Sequence, residues 1–445
     1  MTLAEQLAHH CARDVDTDDR ERAQRHVLAW TGAAALAAST PTAARYHEGL
    51  GGLAGPADPW HGLMFEASLG SLFELDDTHR QGLVHPAPVI VPTVFAVGRK
   101  QGVSGQSLLD AVVRGYEAMI RLGMSVGPAH YRYWHNTSSC GAVGAAVATA
   151  HLLRLGPGLT AQAIRLALVQ SSGLWQTRLD ACDAKPWHLS RTAQTGVQAA
   201  YLARAGVRGP DHALEGEKGF YAAMCPDADP QALTRPSGPD WQIHATSFKP
   251  WAACRHAHPS IDAALGLRQA WVPRAAELPW SAVASITIQT YADAIAFCDR
   301  AAPIDADQAR FSLQHAVAVA LWQGSPAPGA FDVPMILSAD IAALRTLTQV
   351  HRDEIVERRY PRHFGASVTV RWESGASLHH AVQDTLGDPE KPLGEQALLA
   401  LAETSLEQAG WPETPRRTRL AQTRALIDDT NGDWQVHLPV LGLVA

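Results

Sequence analysis

ASVTVRWESGASLHHAV, residues 366–382, is the stretch on which the fold class turns. Val368, Val370 and Trp372 alternate with polar neighbours, and Glu373-Ser374-Gly375 supplies a turn. The run then resumes toward Val382, the pattern of a β-hairpin. ASITIQTY (284–291) reads as another strand. Between the two, ARFSLQHAVAVALWQG (309–324) and SADIAALRTLTQVHRDEIVER (338–358) read as helices. Strand, helices and hairpin together make a small α+β domain.

Upstream the texture is different. TDDRERAQRHVLAWTGAAALA (17–37) has an acidic, cap-like entry followed by apolar residues at helical spacing. PVIVPTVFAVGRK (88–100), SGQSLLDAVVRGYEAMIRLGMSV (104–126), SSCGAVGAAVATAHLLRLG (138–156), TAQAIRLALVQSSGLWQ (160–176) and SRTAQTGVQAAYLARAG (190–206) continue in helices. Helix returns at EQALLALAETSLEQA (395–409) and TRALIDDT (423–430). No fixed period relates these segments, which weighs against a solenoid. The expected architecture is mainly α: a large multi-helix domain over 1–265 and 395–445, with a smaller α+β lid domain inserted over 266–394. A cleft between domains is where a small-molecule site is expected.

With 445 residues, a formal charge of −7 and 46% apolar residues, the chain fits a soluble protein longer than one typical core. Its arginines are scattered and form no basic stripe, so no nucleic-acid partner is expected. The most apolar stretch, 141–156, is too short to span a bilayer and carries His151 and Arg154, so no membrane partner is expected either. No N-terminal signal segment is seen, and the six cysteines form no CxxC pair. Both features point to a cytoplasmic location with reduced thiols, and the cysteine spacing gives no support for a zinc or iron–sulfur site. Lysine is rare: Lys100, Lys185, Lys218, Lys249 and Lys391 only, two of them in the related stretches AKPWH and FKPWAACRH.

Five polar clusters interrupt the amphipathic patterning: FELDDTHRQGLVHPAP (73–88), HYRYWHNTSSCGAVG (130–144), DACDAKPWHLSRTAQTG (180–196), SFKPWAACRHAHPSIDAA (247–264) and ARFSLQHAV (309–317). Thr137, Ser138 or Ser139 is expected to cap a helix whose N-terminus could seat an anion. Pro186, Pro250 and Pro259 are expected to keep their stretches out of helix. Lysines, arginines and histidines beside helix N-termini suit a substrate with two or three carboxylates. They can also supply the acid and base for removing a proton next to a carboxylate. Cys140 near His135 reads as packing rather than as a nucleophile, and no GxSxG, Walker or HEXXH motif is present.

In order along the chain, ELDDTH…HP (74–86), GYEAMIRLG (115–123), HNTSSCGAVGAA (135–146), KPWHLSRTAQTGVQAAYLA (185–203), LEGEKGF (214–220), FKPWAACRHAHPSIDA (248–263) and ARFSLQHAVAVAL (309–321) resemble the MmgE/PrpD family. That family includes 2-methylcitrate dehydratase, cis-aconitate decarboxylase and iminodisuccinate epimerase. The resemblance implies a helical domain with a lid, a homodimer, no cofactor and no metal. It implies His135 and Lys185 as the proton-transfer pair, with His85 and Lys249 as binding or secondary acid–base groups. Glu74, Asp76, Asp77, Thr78, His188, Arg191, Arg255 and His256 are the expected substrate-binding residues, while His79 is expected at the surface.

The sequence also departs from the decarboxylase pattern. Glu74 stands where that pattern has Asp, and Cys254 where it has a histidine. The gap from Thr78 to His85 is one residue longer, and Gln314-His315 replaces Pro-Tyr. The implied activity is removal of a proton alpha to a carboxylate of a small di- or tricarboxylate, with loss of water. The alternatives are epimerisation, cis-aconitate-type decarboxylation, or a non-catalytic helical scaffold that binds polycarboxylates.

Overall fold

The computed structural model describes residues 1–52, 58–180, 182–236 and 240–437. The chain is mainly α-helical and divides into two compact units. The first comprises residues 1–72, 76–248 and 394–445, the second 73–75 and 249–393.

In the first unit, α1 (Thr17–Ala38) opens with Asp16 and Asp19 capping each other's backbone. A two-residue strand follows, β1 (Thr78–His79), and then α2 (Ala87–Gln101), α3 (Gly105–Ser125), α4 (Asn136–Leu152), α5 (Pro157–Leu168) and α6 (Lys185–Arg204). β1 pairs antiparallel with β2 (Thr246–Ser247). The stretch that holds the Asp-Asp pair is therefore tied into a small ladder rather than left as a turn between helices. α4 is the centre of the unit. Its small residues are buried nearly all round, against α2, α3, α5 and α6. A helix with an Ala/Gly surface lets its neighbours approach closely, and α3 does so where Gly115 meets Gly144. The helix Glu395–Gln408 packs back on α1.

The second unit begins with α7 (His258–Trp271) and holds a four-stranded sheet. Its strands are β3 (Val283–Thr290), β4 (Thr348–Arg352), β5 (Ala366–Trp372) and β6 (Ser377–Val382), in the order β4-β3-β5-β6. β5 and β6 form the expected hairpin, with Gly375 at φ 86° in its turn. The helices α8 (Leu313–Gln323) and α9 (Ala339–Thr346) pack with α7 and with each other. The boundary between the two units falls at 248/249, ahead of the continuous helix α7.

Two other expectations are corrected. The single helix expected over 338–358 is α9, then β4, then a short helix Glu354–Arg359 capped by Asp353. Thr348–Arg352 pairs parallel with β3, and those ladder bonds outweigh a helical tendency spread over a few residues. Pro186 and Pro259 do not exclude helix; they occupy the first turns of α6 and α7, where a missing N–H costs nothing. Among the described residues, no helix is long and apolar enough to cross a membrane.

Candidate active site

α4 and α6 lock together through small residues. A Cβ on Gly196 would stand 2.4 Å from that of Ala145, and one on Gly141 would stand 2.8 Å from the Thr192 methyl. Ser138 Oγ and Thr192 Oγ1 lie 3.1 Å apart across the same seam. The contact sets the N-terminal ends of the two helices side by side. His135, not a hydroxyl residue, occupies the N-cap position of α4, which corrects the expected cap. His188 lies in the first turn of α6, and the two Nδ1 atoms are 3.2 Å apart.

His135 is buried and held through both its ring and its backbone. It lies flat on Trp175, with centroids 4.4 Å apart and planes at 10°, and its backbone N–H donates to the Gly173 carbonyl at 2.9 Å. Gly173 adopts φ 115°, and a Cβ there would meet Ser138, so glycine is required. Lys185 opens α6, one turn before His188. Burial, and then the charge of Lys185, hold the His188 imidazole below its ordinary value. A cavity of about 440 Å³ adjoins this corner, lined by Gly173, Leu174, Thr177, Trp187, His188 and Arg191 among others. Arg191 is exposed, and its guanidinium turns toward Gln194 and the Trp187 ring.

The Asp-Asp stretch joins the same end of α4. The His85 backbone N–H donates to Thr137 Oγ1 at 3.0 Å, and Asn136 Nδ2 donates to the Gly82 carbonyl at 3.1 Å. His85 Nδ1 lies 2.8 Å from the Asp77 carbonyl and 3.3 Å from Asp76 Oδ2. A proton on Nδ1 satisfies the Asp77 carbonyl, faces the Asp76 carboxylate, and leaves Nε2 as the basic nitrogen.

Asp77 does not line an open site. Its carboxylate is buried, accepts from the Ala87 N–H at 3.0 Å and Tyr116 Oη at 2.7 Å, and lies 2.7 Å from His26 Nδ1. Burial alone would raise its pKa, but these partners hold it below the usual carboxylate range. Asp77 thus anchors the start of α2 and the segment before it that carries His85. Thr78 is buried in β1, with its hydroxyl 3.5 Å from the Val84 carbonyl. His79 is not a surface residue: it is buried, accepts from the Gly82 N–H at 3.1 Å, and burial pushes its pKa down to about 4.

The second unit gathers Glu74, Lys249, Arg255 and His256. Lys249 is buried and donates to Glu74 Oε2 at 3.3 Å. Glu74 takes φ 52°, a left-handed conformation uncommon for a side chain of its size. Arg255 donates through Nη2 to Asp388, lies over the Phe364 ring, and keeps Nε and Nη1 buried with no hydrogen-bond acceptor among the described residues. His256 stacks on Phe364 and shares a 2.7 Å hydrogen bond with Tyr291 Oη.

Gln314 and His315 are occupied structurally. Gln314 bonds Asp299 and the Arg300 N–H, while the His315 ring nitrogens lie 3.0 Å from the Ala330 carbonyl and 3.3 Å from Arg345. Cys140 is buried and its thiol pushed well up by burial, which fits packing and not nucleophilic attack. His363, Asp384 and Glu390 cluster closely enough to share an ion, but none is among the expected site residues.

Sequence reasoning missed His26, Tyr116, Trp175 and Asp388. Each is a single residue far along the chain from the group it holds, in an unremarkable local pattern, and no local signal marks it.

Comparison with known proteins agrees with the motifs. The MmgE/PrpD N-terminal domain profile matches residues 1–233 and the MmgE/PrpD C-terminal domain profile matches 251–423. A cis-aconitate decarboxylase-like protein of Aspergillus oryzae is 27% identical over 331 residues, 69% of this chain and 68% of its own. Human cis-aconitate decarboxylase is 25% identical over 340 residues, 73% of this chain and 68% of its own. An alkylcitrate dehydratase from a fungal species is 27% identical over 222 residues, 48% of this chain and 43% of its own.

Proposed function

Because the chain belongs to the MmgE/PrpD family, we propose that it is a lyase acting on a small di- or tricarboxylate, removing a proton alpha to a carboxylate with loss of water. The observation that carries this reading is the corner where His135 and His188 meet at two helix N-termini, with Lys185 one turn before His188. In it, a substrate carboxylate sits against Lys185 and the helix N–H groups, which stabilise the charge that develops as the alpha proton leaves. His135 takes that proton. His85, oriented through Nδ1 by Asp77 and Asp76, protonates the departing hydroxyl. In the second unit, the Arg255 donors that lack an acceptor suit a carboxylate oxygen. Family resemblance adds a cytoplasmic homodimer.

Decarboxylation is the second reading, favoured by the names of the A. oryzae and human relatives. Against it stand Gln314 and His315, whose polar atoms are taken up by neighbours where the decarboxylase pattern has Pro-Tyr. Incubation with a panel of polycarboxylates followed by ¹H and ¹³C NMR tests the proposal. Alkene formation with all carboxyl carbons retained is the expected result. Loss of a carboxyl carbon would establish the decarboxylase, exchange at a methine without alkene an epimerase, and binding without any chemistry a scaffold.

A further inference from the structure

We infer that His188 is the positioning residue of the site: it sets the tautomer of His135 and relays its proton to the solvent of the adjoining cavity. The inference rests on the proposed proton abstraction by His135 and adds a residue and a route to it.

The geometry is particular. Two neutral imidazoles whose Nδ1 atoms lie 3.2 Å apart must share one proton, so one Nδ1 donates and the other accepts. Trp175 beneath His135, and the α4–α6 seam that carries both histidines, fix the pair in this arrangement. His188 lines the cavity, while His135 is not among its lining residues. His135 faces His188 directly, Lys185 acts on it through its charge, and Asp180, Cys182 and Arg191 line the same cavity. Burial together with Lys185 keeps His188 neutral, the form able to accept a proton on one nitrogen while releasing one from the other.

The step balances in protons. His135 takes the substrate proton on Nε2 and passes its Nδ1 proton to Nδ1 of His188. His188 releases its Nε2 proton to water in the cavity. The reverse sequence resets both tautomers and returns a proton through His135 to the reacting molecule. No electron pair leaves the two rings, and solvent supplies and receives each proton.

The test uses His188→Asn, whose amide can keep the hydrogen bond to His135 but cannot pass a proton through, and His188→Ala. Each should lower kcat about tenfold or more with KM changed less than about threefold. Deuterium wash-in per turnover in D₂O should fall, and added imidazole should restore kcat to His188→Ala. His188→Asn with wild-type kcat and wash-in would overturn the relay, as would losses confined to KM with no response to imidazole in a folded variant. A separate readout needs no substrate: ¹⁵N-histidine NMR of the wild-type protein should show His135 and His188 titrating as one coupled pair. If no polycarboxylate turns over, the proposed function fails, while the NMR result still decides the pairing. Independent titration of the two rings overturns it.

Discussion

Four histidines, the fully buried His26, His79 and His315 and the half-buried His151, have pKa values pushed down to about 4 by burial. Each stays neutral in the folded chain but titrates near 6.5 once unfolded. As pH falls from about 6.5 toward 4, the unfolded state binds protons that the folded state refuses, so stability is lost across that window. Each such group contributes roughly 1–3 kcal/mol to the loss. Asp77, held below its ordinary value, adds to the loss in the same direction, but only below about pH 4, where it too must be protonated. Melting curves from pH 7.5 to 4.5 should show Tm falling steadily, with a shallower fall in His79→Gln. A flat Tm across the range would contradict the burial of these rings. At this scale the sequence reading was uneven. His135, Lys185 and His188 stood in recognisable motifs, and the two histidines lie together with Lys185 one turn from His188, whereas His79 looked displaced from its motif and proves to be interior. Burial depends on β2, more than 160 residues away, and no local pattern encodes that.

Among the elements, the packing of α4 against α6 governs where the two histidines stand. Gly196 is the tightest point, with no room for a methyl beside Ala145 and the Ala142 carbonyl. Gly196→Ala should destabilise the protein by about 1–3 kcal/mol and lower turnover, because it pushes apart the helices that carry His135 and His188. Gly158, at the start of α5 with nothing within 4 Å of its Cβ direction, is the control: Gly158→Ala should leave Tm unchanged or slightly raised. Equal melting temperatures for both variants would remove the close helix contact from the account. Long helices and the β5–β6 hairpin were legible because their periodicity extends over many residues. β4 was not: five residues between helical segments carry too little pattern, and only the partner strand β3 makes them a strand. The prolines misled in the same way, since a proline that forbids helix in the middle of a segment is favoured in its first turn.

For the whole molecule, the family profiles cover both compact units, and each unit holds its own cationic set, His135–His188–Lys185 in the first and Lys249–Arg255 in the second. The motifs made the family readable from sequence, because several short patterns in order are specific even when each alone is not. The reaction was not readable, since dehydration, epimerisation and decarboxylation all start by building negative charge beside a carboxylate. The central claim is that His135 takes that proton and Lys185 stabilises the charge it leaves behind. Its most direct test is deuterium incorporation alpha to a carboxylate in D₂O, measured by NMR for the wild type, His135→Ala and Lys185→Ala on whichever polycarboxylate is turned over. Wild type should exchange, and both variants should lose exchange by about 100-fold or more while melting within a few degrees of it. Near-normal exchange by either variant would contradict the assignment.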